Sequence, residues 1–486
     1  MSPLISEDTR KIYSRRIRGF WDEFSHNRIG FVGLLLLAGY IIMAVFSPWL
    51  TPYDPLSSTR VAESYAMPSF MQALPQYQDH PYTMEITPSW NITGGESPPE
   101  IHTAGGKNVE TQISIPARNA RAIEVTASTT FEYPHDVPPM RFVSSFAWSV
   151  QNLSNVWWSA ELILTNELNG SSTRIWFEPY TDQNINLGVE GDSNDYWLLK
   201  KIGYIEVGAT NLAHIIFSNP TKSLYRLTFR VAMRPAEDSE SMKADVSLTR
   251  FKFFIPGLIH GILGADYLGT DVFSQLVYGS RISLVIGLMA AAISTSIGVI
   301  VGTVAGYLGG AVDEVTMRIV DVLLCLPGLP LLLTLVRLFG KNIFYIVLFI
   351  AIFGWLGLAR VIRSQVLYLR ETTFVESAFA SGASKPYIMA RHLVPNIFPV
   401  ALASLVLSVP GAVLAEAALS FLGFGDPRVP TWGKMLNYAF GHGAFENGAW
   451  WWFVPPGIAI TMLSLTFVFM GFAIDEIVNP RLRRRR

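Results

Sequence analysis

The stretch 371–395, ETTFVESAFASGASKPYIMARHLVP, lies between two long apolar segments and has the pattern of a helix, a break and a second helix. Either threonine at 372–373 can cap the first helix, and Gly382 can adopt the left-handed conformation that ends it. Ser384 can cap the second helix, and Pro395 is expected to close it. The stretch therefore predicts a short helical hairpin held between two membrane spans.

The first helix of this hairpin carries Glu376 followed by small residues, among them Ser377 and Ala378. Small side chains let another surface approach the backbone closely, and the glutamate adds a point of orientation. We expect such a hairpin, held rigidly at both ends, to dock a cytoplasmic partner. The alternative is an ordinary amphipathic loop between two membrane helices.

The order of residues in this hairpin resembles the EAA loop of ABC importer permeases, which inserts into a cleft on the ATPase subunit. The family pattern is E-A-A, three residues, G, nine residues and then I-x-L-P. The spacing is kept in this chain, but Ser377 replaces an alanine, and His392 and Val394 replace the isoleucine and the leucine. The segments RHLVPN (391–396) and EAALSFLGFGDPRVPTWGKML (416–436) are similar to the dipeptide, oligopeptide and nickel branch of the family.

This resemblance implies a transmembrane permease subunit with six transmembrane helices and the type I ABC importer permease fold. It assigns the coupling to the ATPase to six residues, which are Glu376, Ser377, Ala378, Gly382, Ala383 and Pro395. The implied partners are a homologous second permease subunit, two ATPase subunits that bind ATP and Mg, and an extracytoplasmic substrate-binding protein. No cofactor is expected in this chain itself. Peptides are the expected substrates, with oligosaccharides and nickel as the alternatives.

The composition indicates a polytopic membrane protein. Half of the residues are hydrophobic, 15% are charged and the formal net charge is -1, so the basic surface of a nucleic-acid-binding protein is not expected. The sequence has no phosphate-binding loop, no nucleophile motif and no clustered metal ligands, so neither enzyme activity nor a metal site is expected. The single Cys325 lies in an apolar segment and is expected to be a small buried residue, with a reactive thiol as the alternative.

Six apolar stretches are long enough to cross a bilayer. They are residues 30–50, 283–308, 315–339, 343–366, 396–422 and 453–474. Pro327 and Pro330 are expected to kink the third stretch. Basic residues in the segments 1–29 and 479–486 and beside the hairpin place both chain ends and the hairpin in the cytoplasm of a cell-membrane protein. The segment 17–29 is either an interfacial elbow helix or a solvated tail.

Charged residues within the spans or at their ends are functional candidates. Glu416, near the outer end of the fifth span, and Ser420 are candidates for the translocation path. A carboxylate there could also bind the ammonium group of a substrate, and the alternative is a structural hydrogen bond to a neighbouring helix. At the inner end of the third span, four charged residues are expected to pair with each other or to contact the ATPase, and these are Asp313, Glu314, Arg318 and Asp321.

Residues 51–256, between the first two spans, have no spanning run and a different character. About eight short segments with period-two patterning, separated by turns, predict an all-β extracytoplasmic sandwich, and the segments 195–208 and 212–219 are two of these predicted strands. The resemblance to permeases stops here, because typical members connect these two spans by a short loop. A linker helix over 257–282 is expected to lead from this insertion into the second span.

The inserted domain leaves two interpretations open. Four tryptophans stand in its predicted strands, and they are Trp157, Trp158, Trp176 and Trp197. They either lie exposed and bind carbohydrate or a receptor, or they form the core. Three Asn-x-Ser/Thr sequons, which begin at Asn91, Asn152 and Asn169, are compatible with glycosylation of an exported face. A membrane-anchored carbohydrate-binding or adhesion protein is the rival to a permease, and the hairpin argues against it.

Overall fold

The computed structural model describes residues 21–56, 60–94, 100–102, 109–115, 122–195, 212–217, 221–236 and 242–478. The chain divides into two compact units. The first comprises Met1–Ser58 with Val272–Arg486, and the second is Thr59–Asp271. The second unit therefore begins and ends later in the chain than the predicted insertion. The predicted basic tail 479–486 and residues 1–20 of the predicted N-terminal segment lie outside the described residues.

The described part of the first unit is helical. Its helices are α1 (Arg28–Val45), α2 (Val272–Leu308), α3 (Gly310–Cys325), α4 (Gly328–Phe339), α5 (Ile343–Arg370), α6 (Thr373–Ala380), α7 (Lys385–Ile388), α8 (Val394–Phe421), α9 (Trp432–Gly441) and α10 (Trp450–Val478). A four-residue helix, Ser47–Leu50, follows α1. Residues 21–26, from the predicted elbow segment, are also helical.

Five helices within the described ranges are long and apolar enough to cross a membrane. They are α1, α2, α5, the continuous helix Lys385–Phe421 that contains α7 and α8, and α10. The expected number of six is reached only if the bent pair α3 and α4 counts as one span. The first unit is thus a membrane protein with five or six spans.

The predicted third span, 315–339, is not one continuous helix. The axes of α3 and α4 differ by 89°, and Leu326 and Pro327 between them have extended backbone angles. A proline has no N–H to donate, and it keeps the residue before it out of the helical region. Pro327 therefore breaks this segment where a kink was expected.

Helix α3 buries little of its surface, since Val320 is the one buried residue among its 16 residues. Cys325, its last residue, is exposed. The expectation that Cys325 is a small buried residue is therefore wrong for this chain. Several apolar side chains of α3 are also exposed, and these are Val312, Val315, Ile319 and Val322. Such side chains are stable where lipid or another apolar helix covers them.

Helix α2 is a single element of 37 residues. The predicted linker helix 257–282 is wrong in its first half, because residues 257–271 form turns and isolated bridges. In its second half the predicted helix is simply the first part of α2. No proline interrupts residues 272–308, so the helix continues past the thickness of the apolar bilayer core, which needs about 20 residues.

The second unit is rich in strands. They are β1 (Met84–Ile86), β2 (Asn91–Gly94), β3 (Glu100–His102), β4 (Val109–Ile115), β5 (Ile123–Tyr133), β6 (Val143–Ser154), β7 (Val156–Asn166), β8 (Ser172–Thr181), β9 (Ile185–Asp192), β10 (Ser223–Pro235) and β11 (Met242–Ile255). One sheet has the order β3-β4-β11-β6-β9 with β1 also on β11, and the other has the order β2-β5-β10-β7-β8. The strand pairs in both sheets are antiparallel.

Apolar side chains of both sheets meet in one core. Burial alternates along the central strands, as in β10, where every second residue from Ser223 to Met233 is buried. This period of two is the pattern expected for a strand with one face on a core. The unit also contains the short helix Leu212–Ile216 and two 3-10 turns, Ser69–Ala73 and Pro75–Tyr77.

The tryptophans lie mainly in this core. Trp148 packs against Trp158, with ring centroids 4.9 Å apart, and against Trp176, at 5.4 Å. Trp158 and Trp176 are both buried, which favours the core interpretation over a ligand-binding one for these two. Trp157 is partly exposed, and Trp197 lies outside the described residues.

Two segments of this unit differ from the sequence prediction. The segment 212–219, expected as a strand, begins with the helix Leu212–Ile216. Its buried positions, Leu212, Ala213 and Ile216, follow a helical period. Strand β9 was not predicted, because it pairs at a sheet edge and most of its residues are exposed or half-buried. The predicted strand over 195–208 lies almost wholly outside the described residues.

Candidate functional site

The predicted hairpin forms around Gly382. Helix α6 ends at Ala380 and α7 begins at Lys385. Gly382 has φ +81°, the left-handed conformation that was expected of it. Its N–H donates to the carbonyl oxygen of Phe379 at 2.9 Å, and the N–H of Ala383 donates to that of Ala378 at 3.1 Å. These two bonds close the first helix and start the turn.

The expected side-chain caps are absent from this hairpin, which the structure describes in full. Thr372 and Ser384 occupy the N-cap positions of α6 and α7, but neither side chain accepts a hydrogen bond from its helix. The hydroxyl of Thr372 instead donates to the carbonyl oxygen of Leu369 in α5. It therefore ties the hairpin to the preceding helix.

Pro395 does not close the second helix, so this expectation is wrong. Between α7 and α8 the chain makes a π-helical turn over Met389–Leu393, and Lys385–Phe421 runs as one helix. The N–H of Val394 donates to the carbonyl oxygen of Met389, five residues back. This wider turn lets Pro395 sit in the first turn of α8, where its missing N–H breaks no regular bond.

The base of the hairpin is an apolar cluster. Val375 of α6 and Ile388 of α7 are buried against Ile362 and Val366 of α5 and against residues of α8. Ala378 and Ala383, which were expected to contact the ATPase, are half-buried and pack against this same cluster. They therefore help to hold the hairpin to its own chain.

Glu376, Ser377 and Gly382 lie on the side of the hairpin that faces away from this cluster, and all three are exposed. The hydroxyl of Ser377 donates to the carbonyl oxygen of Thr373 at 2.7 Å. Because that bond satisfies the hydroxyl within α6, Ser377 presents a small surface much as an alanine would. This explains how serine can stand at an alanine position of the pattern.

Sequence reasoning missed the exposed aromatic residues of the hairpin. Phe374, Phe379 and Tyr387 are 41%, 63% and 53% exposed. The segment is otherwise rich in charged and serine residues, so the aromatic residues within it could have been recognised from the sequence as candidates for an exposed binding surface.

Helix α5, which leads into the hairpin, packs on a row of glycines in α2. Gly298, Gly302 and Gly306 are four residues apart and therefore lie on one face of α2. A Cβ on Gly302 would lie 2.6 Å from the carbonyl oxygen of Ala359 in α5, so only glycine fits. The two backbones approach closely, as small residues allow between membrane helices.

Two ion pairs join α3 to α5 near the hairpin. Arg363 forms a two-pronged pair with Asp313, with Nη2 2.5 Å from Oδ2. Arg360 pairs with Asp321. These two acids were expected to pair with their neighbours on α3 or to contact the ATPase, and they instead pair across to α5.

Glu416 and Ser420 lie on α8 far from the hairpin in sequence, and both are buried. The hydroxyl of Ser420 donates to Oε1 of Glu416 at 2.6 Å. Gly433 of α9 packs on Ala417 so closely that a Cβ there would lie 2.6 Å from its carbonyl oxygen. The carboxyl thus lies between α8 and the start of α9.

At the opposite end of α5 from the hairpin, Asp426 fixes the loop before α9. Its carboxylate accepts hydrogen bonds from the backbone N–H of Ile343 at 3.1 Å and from Nη2 of Arg428 at 2.8 Å. The hydrogen bonds of Arg428, first that of its side chain, lower the pKa of Asp426 to about 2 against the opposing effect of burial. The loop is thereby joined to the first turn of α5, a contact that sequence reasoning also missed.

No group of three or more His, Cys, Asp and Glu residues in the described ranges is placed to hold a metal ion.

Two family models match the chain. Residues 298–484 match the family described as "Binding-protein-dependent transport system inner membrane component". Residues 16–68 match the "N-terminal TM domain of oligopeptide transport permease C". The matches lie on either side of most of the second unit, and the first one contains the hairpin.

Three relatives illustrate the similarity. The dipeptide transport system permease protein DppC of Bacillus subtilis is 39% identical over 46% of this chain and 69% of its own length. The oligopeptide transport system permease protein OppC of the same species is 37% identical over 46% of this chain and 72% of its own. OppC of Haemophilus influenzae is 34% identical over 51% and 76%. This chain therefore belongs to the family of ABC importer permeases, the inner-membrane components of binding-protein-dependent transport systems.

Proposed function

We propose that this chain is one of two permease subunits of an ATP-driven importer whose cargo is dipeptides or oligopeptides. The names of the relatives that are 39% and 37% identical support the cargo. A homologous second permease subunit supplies the other half of the pore, and an extracytoplasmic substrate-binding protein delivers the substrate. ATP and Mg are bound by two separate ATPase subunits, so this chain is not catalytic.

We place both chain ends and the hairpin in the cytoplasm and residues 51–282 outside the cell membrane. The support is the cluster of basic residues Arg360, Arg363 and Arg370 in the part of α5 that precedes the hairpin. In this arrangement α3 and α4 together form the third of six spans. The second unit then stands outside as a sandwich of two sheets.

The hairpin is the element that passes movement from the ATPase to the pore, and its continuity with the long helices carries this proposal. Its second arm runs through the π turn into α8 without an end. Its first arm follows α5 directly, and Val375 and Ile388 fix both arms to one apolar cluster. A displacement of the hairpin therefore moves α5 and α8 together.

The six predicted coupling residues divide this work. Glu376, Ser377 and Gly382 form the exposed side that meets the ATPase. Ala378 and Ala383 pack on the apolar cluster and hold the hairpin in place, and Pro395 lies exposed in the first turn of α8, where the second arm enters the long helix.

Glu416 and Ser420 are proposed to hold α9 against α8 at the outer mouth of the pore. Both are buried within this single chain, which supports a structural role over a place on the passage surface. The hydrogen bond between them lies within α8 and not to a neighbouring helix, and Ser420 packs closely on Gly433 of α9. Removing the carboxyl would leave the hydroxyl of Ser420 without this partner.

The test is Glu376→Lys in the intact complex, reconstituted with its partner subunits. Reversal of a charge at the docking surface should reduce ligand-stimulated ATPase activity and peptide uptake by at least about tenfold. Insertion and pairing with the second permease should be unchanged, because Glu376 is exposed.

The matched control is Glu446→Lys, the same change at an exposed position on the loop between α9 and α10. It should leave coupling within about twofold of wild type. Normal uptake by Glu376→Lys would refute the coupling role. Stimulation by oligosaccharides or nickel, with no response to peptides, would refute the cargo.

A further inference from the structure

Three aromatic rings stand exposed on the hairpin in a strongly polar setting. Phe379 is 63% exposed, Tyr387 53% and Phe374 41%. Charged residues beside them are exposed as well, and these are Glu371, Glu376, Lys385 and Arg391. Such charges exclude the hydrocarbon core of a bilayer as the surroundings. An exposed group of aromatic residues among charges marks a surface that binds either another protein or the membrane interface, and the coupling role proposed above favours the protein.

The packing of α6 places Phe374 and Phe379 beside its buried face. Val375 and Ala378, three residues apart, are the inward-facing positions of α6. Phe374 and Phe379 lie at the two edges of this inward-facing stripe, each about 40° from one inward residue and about 100° from the other, and both are exposed. Their exposure is thus fixed by the same packing that fixes the base of the hairpin.

One part of this surface joins the two arms. The ring of His392 lies 6.4 Å from that of Phe374 and 5.9 Å from that of Tyr387, measured between centroids. These three rings therefore form a single patch across α6 and the π turn. Phe379 is not part of this patch. It lies near the end of α6, three residues before the turn at Gly382.

We propose that Phe379 and Tyr387 are the apolar anchors by which a cytoplasmic ATPase subunit grips this hairpin, and this inference rests on the proposed coupling role. The receiving surface is an apolar cleft for the two rings, edged with carboxylates opposite Lys385 and Arg391. An aromatic core within a charged rim is the usual arrangement of a protein interface, and a few such side chains supply most of its binding energy. Glu376 then orients the hairpin, and the rings hold it.

The experiment measures retention of the ATPase subunits by the full-length permease complex in lipid nanodiscs. Phe379→Ala and Tyr387→Ala should each weaken the affinity for the ATPase by about thirtyfold or more, as expected for interface anchors. Phe379→Leu, which keeps an apolar side chain, should stay within about threefold of wild type. Phe440→Ala is the control, because Phe440 is 65% exposed but lies on α9.

A second measurement does not depend on truncation. A photo-crosslinking phenylalanine analogue at position 379 should form a covalent adduct with the ATPase subunit, and the same analogue at position 440 should not. An adduct at 379 supports the proposal even if an alanine variant assembles poorly. Absence of that adduct in a complex that retains its ATPase overturns it.

The outcomes separate this inference from the proposed function. If the wild-type complex retains no ATPase subunit, the proposed function fails and the anchors fail with it. If wild type retains the ATPase and both alanine variants bind within about twofold, the anchors are refuted and the proposed function stands.

Discussion

The contact between α2 and α5 in the helical unit and the core of the strand-rich unit are built from opposite kinds of side chain. The contact between α2 and α5 is made by glycines, as at Gly302, where the two backbones leave no room for a Cβ. In the strand-rich unit the centre is filled by large rings, with Trp148 against Trp158. We therefore expect the helical unit to be destabilised when a side chain is enlarged at the α2–α5 contact, and the strand-rich unit to be destabilised when a core ring is removed.

The outer surfaces differ in the same way. In the helical unit, Leu35 and Ile300 are each 63% exposed, which is stable where lipid covers them. In the strand-rich unit the largest apolar side chains of the central strands face the core between the sheets, and Leu162 and Trp148 are at most 1% exposed. Burial away from water stabilises that unit, whereas close packing and polar contacts must hold the helices together. A substitution that is severe in one unit should therefore leave the other intact.

The largest effect is expected for Trp148→Ala. Removing this ring leaves a cavity beside Trp158, Trp176 and Phe229. The free energy of unfolding of the strand-rich unit should fall by about 3–5 kcal/mol. Hydrogen exchange of the full chain in nanodiscs should show faster opening of β6 and β10, with the amides of α2 and α5 unchanged.

Trp157→Ala is the matched control, because Trp157 is partly exposed and its ring lies 6.0 Å from the guanidinium carbon of Arg234. Its expected cost is about 1 kcal/mol or less. Equal losses from the two substitutions would contradict a core centred on Trp148.

The next largest destabilisation is expected for Gly302→Leu, which adds side-chain volume where Trp148→Ala removes it. The added side chain meets the carbonyl oxygen of Ala359 and the side chain of Ile362, so α5 must move away from α2. Such overpacking costs about 1–3 kcal/mol. The amides of α2 and α5 should then exchange faster while those of the strand-rich unit keep their protection.

Gly357→Leu serves as its control, since a Cβ at Gly357 meets no atom within 4 Å. This variant should match wild type in exchange. If it destabilised the unit as much as Gly302→Leu, the loss would come from the change of residue type and the close helix contact would not explain it.

Much of the hairpin could be predicted from the sequence, because its signals are local. Gly382 marks the turn wherever the chain goes, since a left-handed residue after a helix favours glycine. Pro395 gave the wrong answer because a proline permits two outcomes, an end or an entry to a new helix. The π turn before it, which depends on packing around Ile388 and Leu393, decides between them.

The rest depends on contacts between residues far apart in the chain. Asp426 reaches Ile343 across 83 positions, and no local pattern identifies that pair. The helix Leu212–Ile216 was taken for a strand because a short apolar segment fits both periods. The sequence pattern likewise showed which hairpin residues are small, but only the cluster around Val375 shows that Ala378 faces inward.

The smallest effect should come from Asp426→Asn, which asks how much a polar contact adds to a helical unit held mainly by packing. Asn can still accept from the N–H of Ile343 but loses the charge that faces Arg428, whose side chain is 67% exposed. Water weakens that pair, so the helical unit should lose only about 1 kcal/mol at pH 7.

The pKa of Asp426 in the folded chain, about 2, lies below its ordinary value, so this stabilisation is present above about pH 4 and is lost as the pH falls through about 2. Denaturant unfolding of wild type and variant should therefore differ at pH 7 and converge near pH 2, while Glu446→Gln, at an exposed acid, should show no such convergence. A difference that persisted at pH 2 would mean that Asp426 acts through its shape, and a difference above about 3 kcal/mol at pH 7 would mean that polar contacts rival packing in this unit.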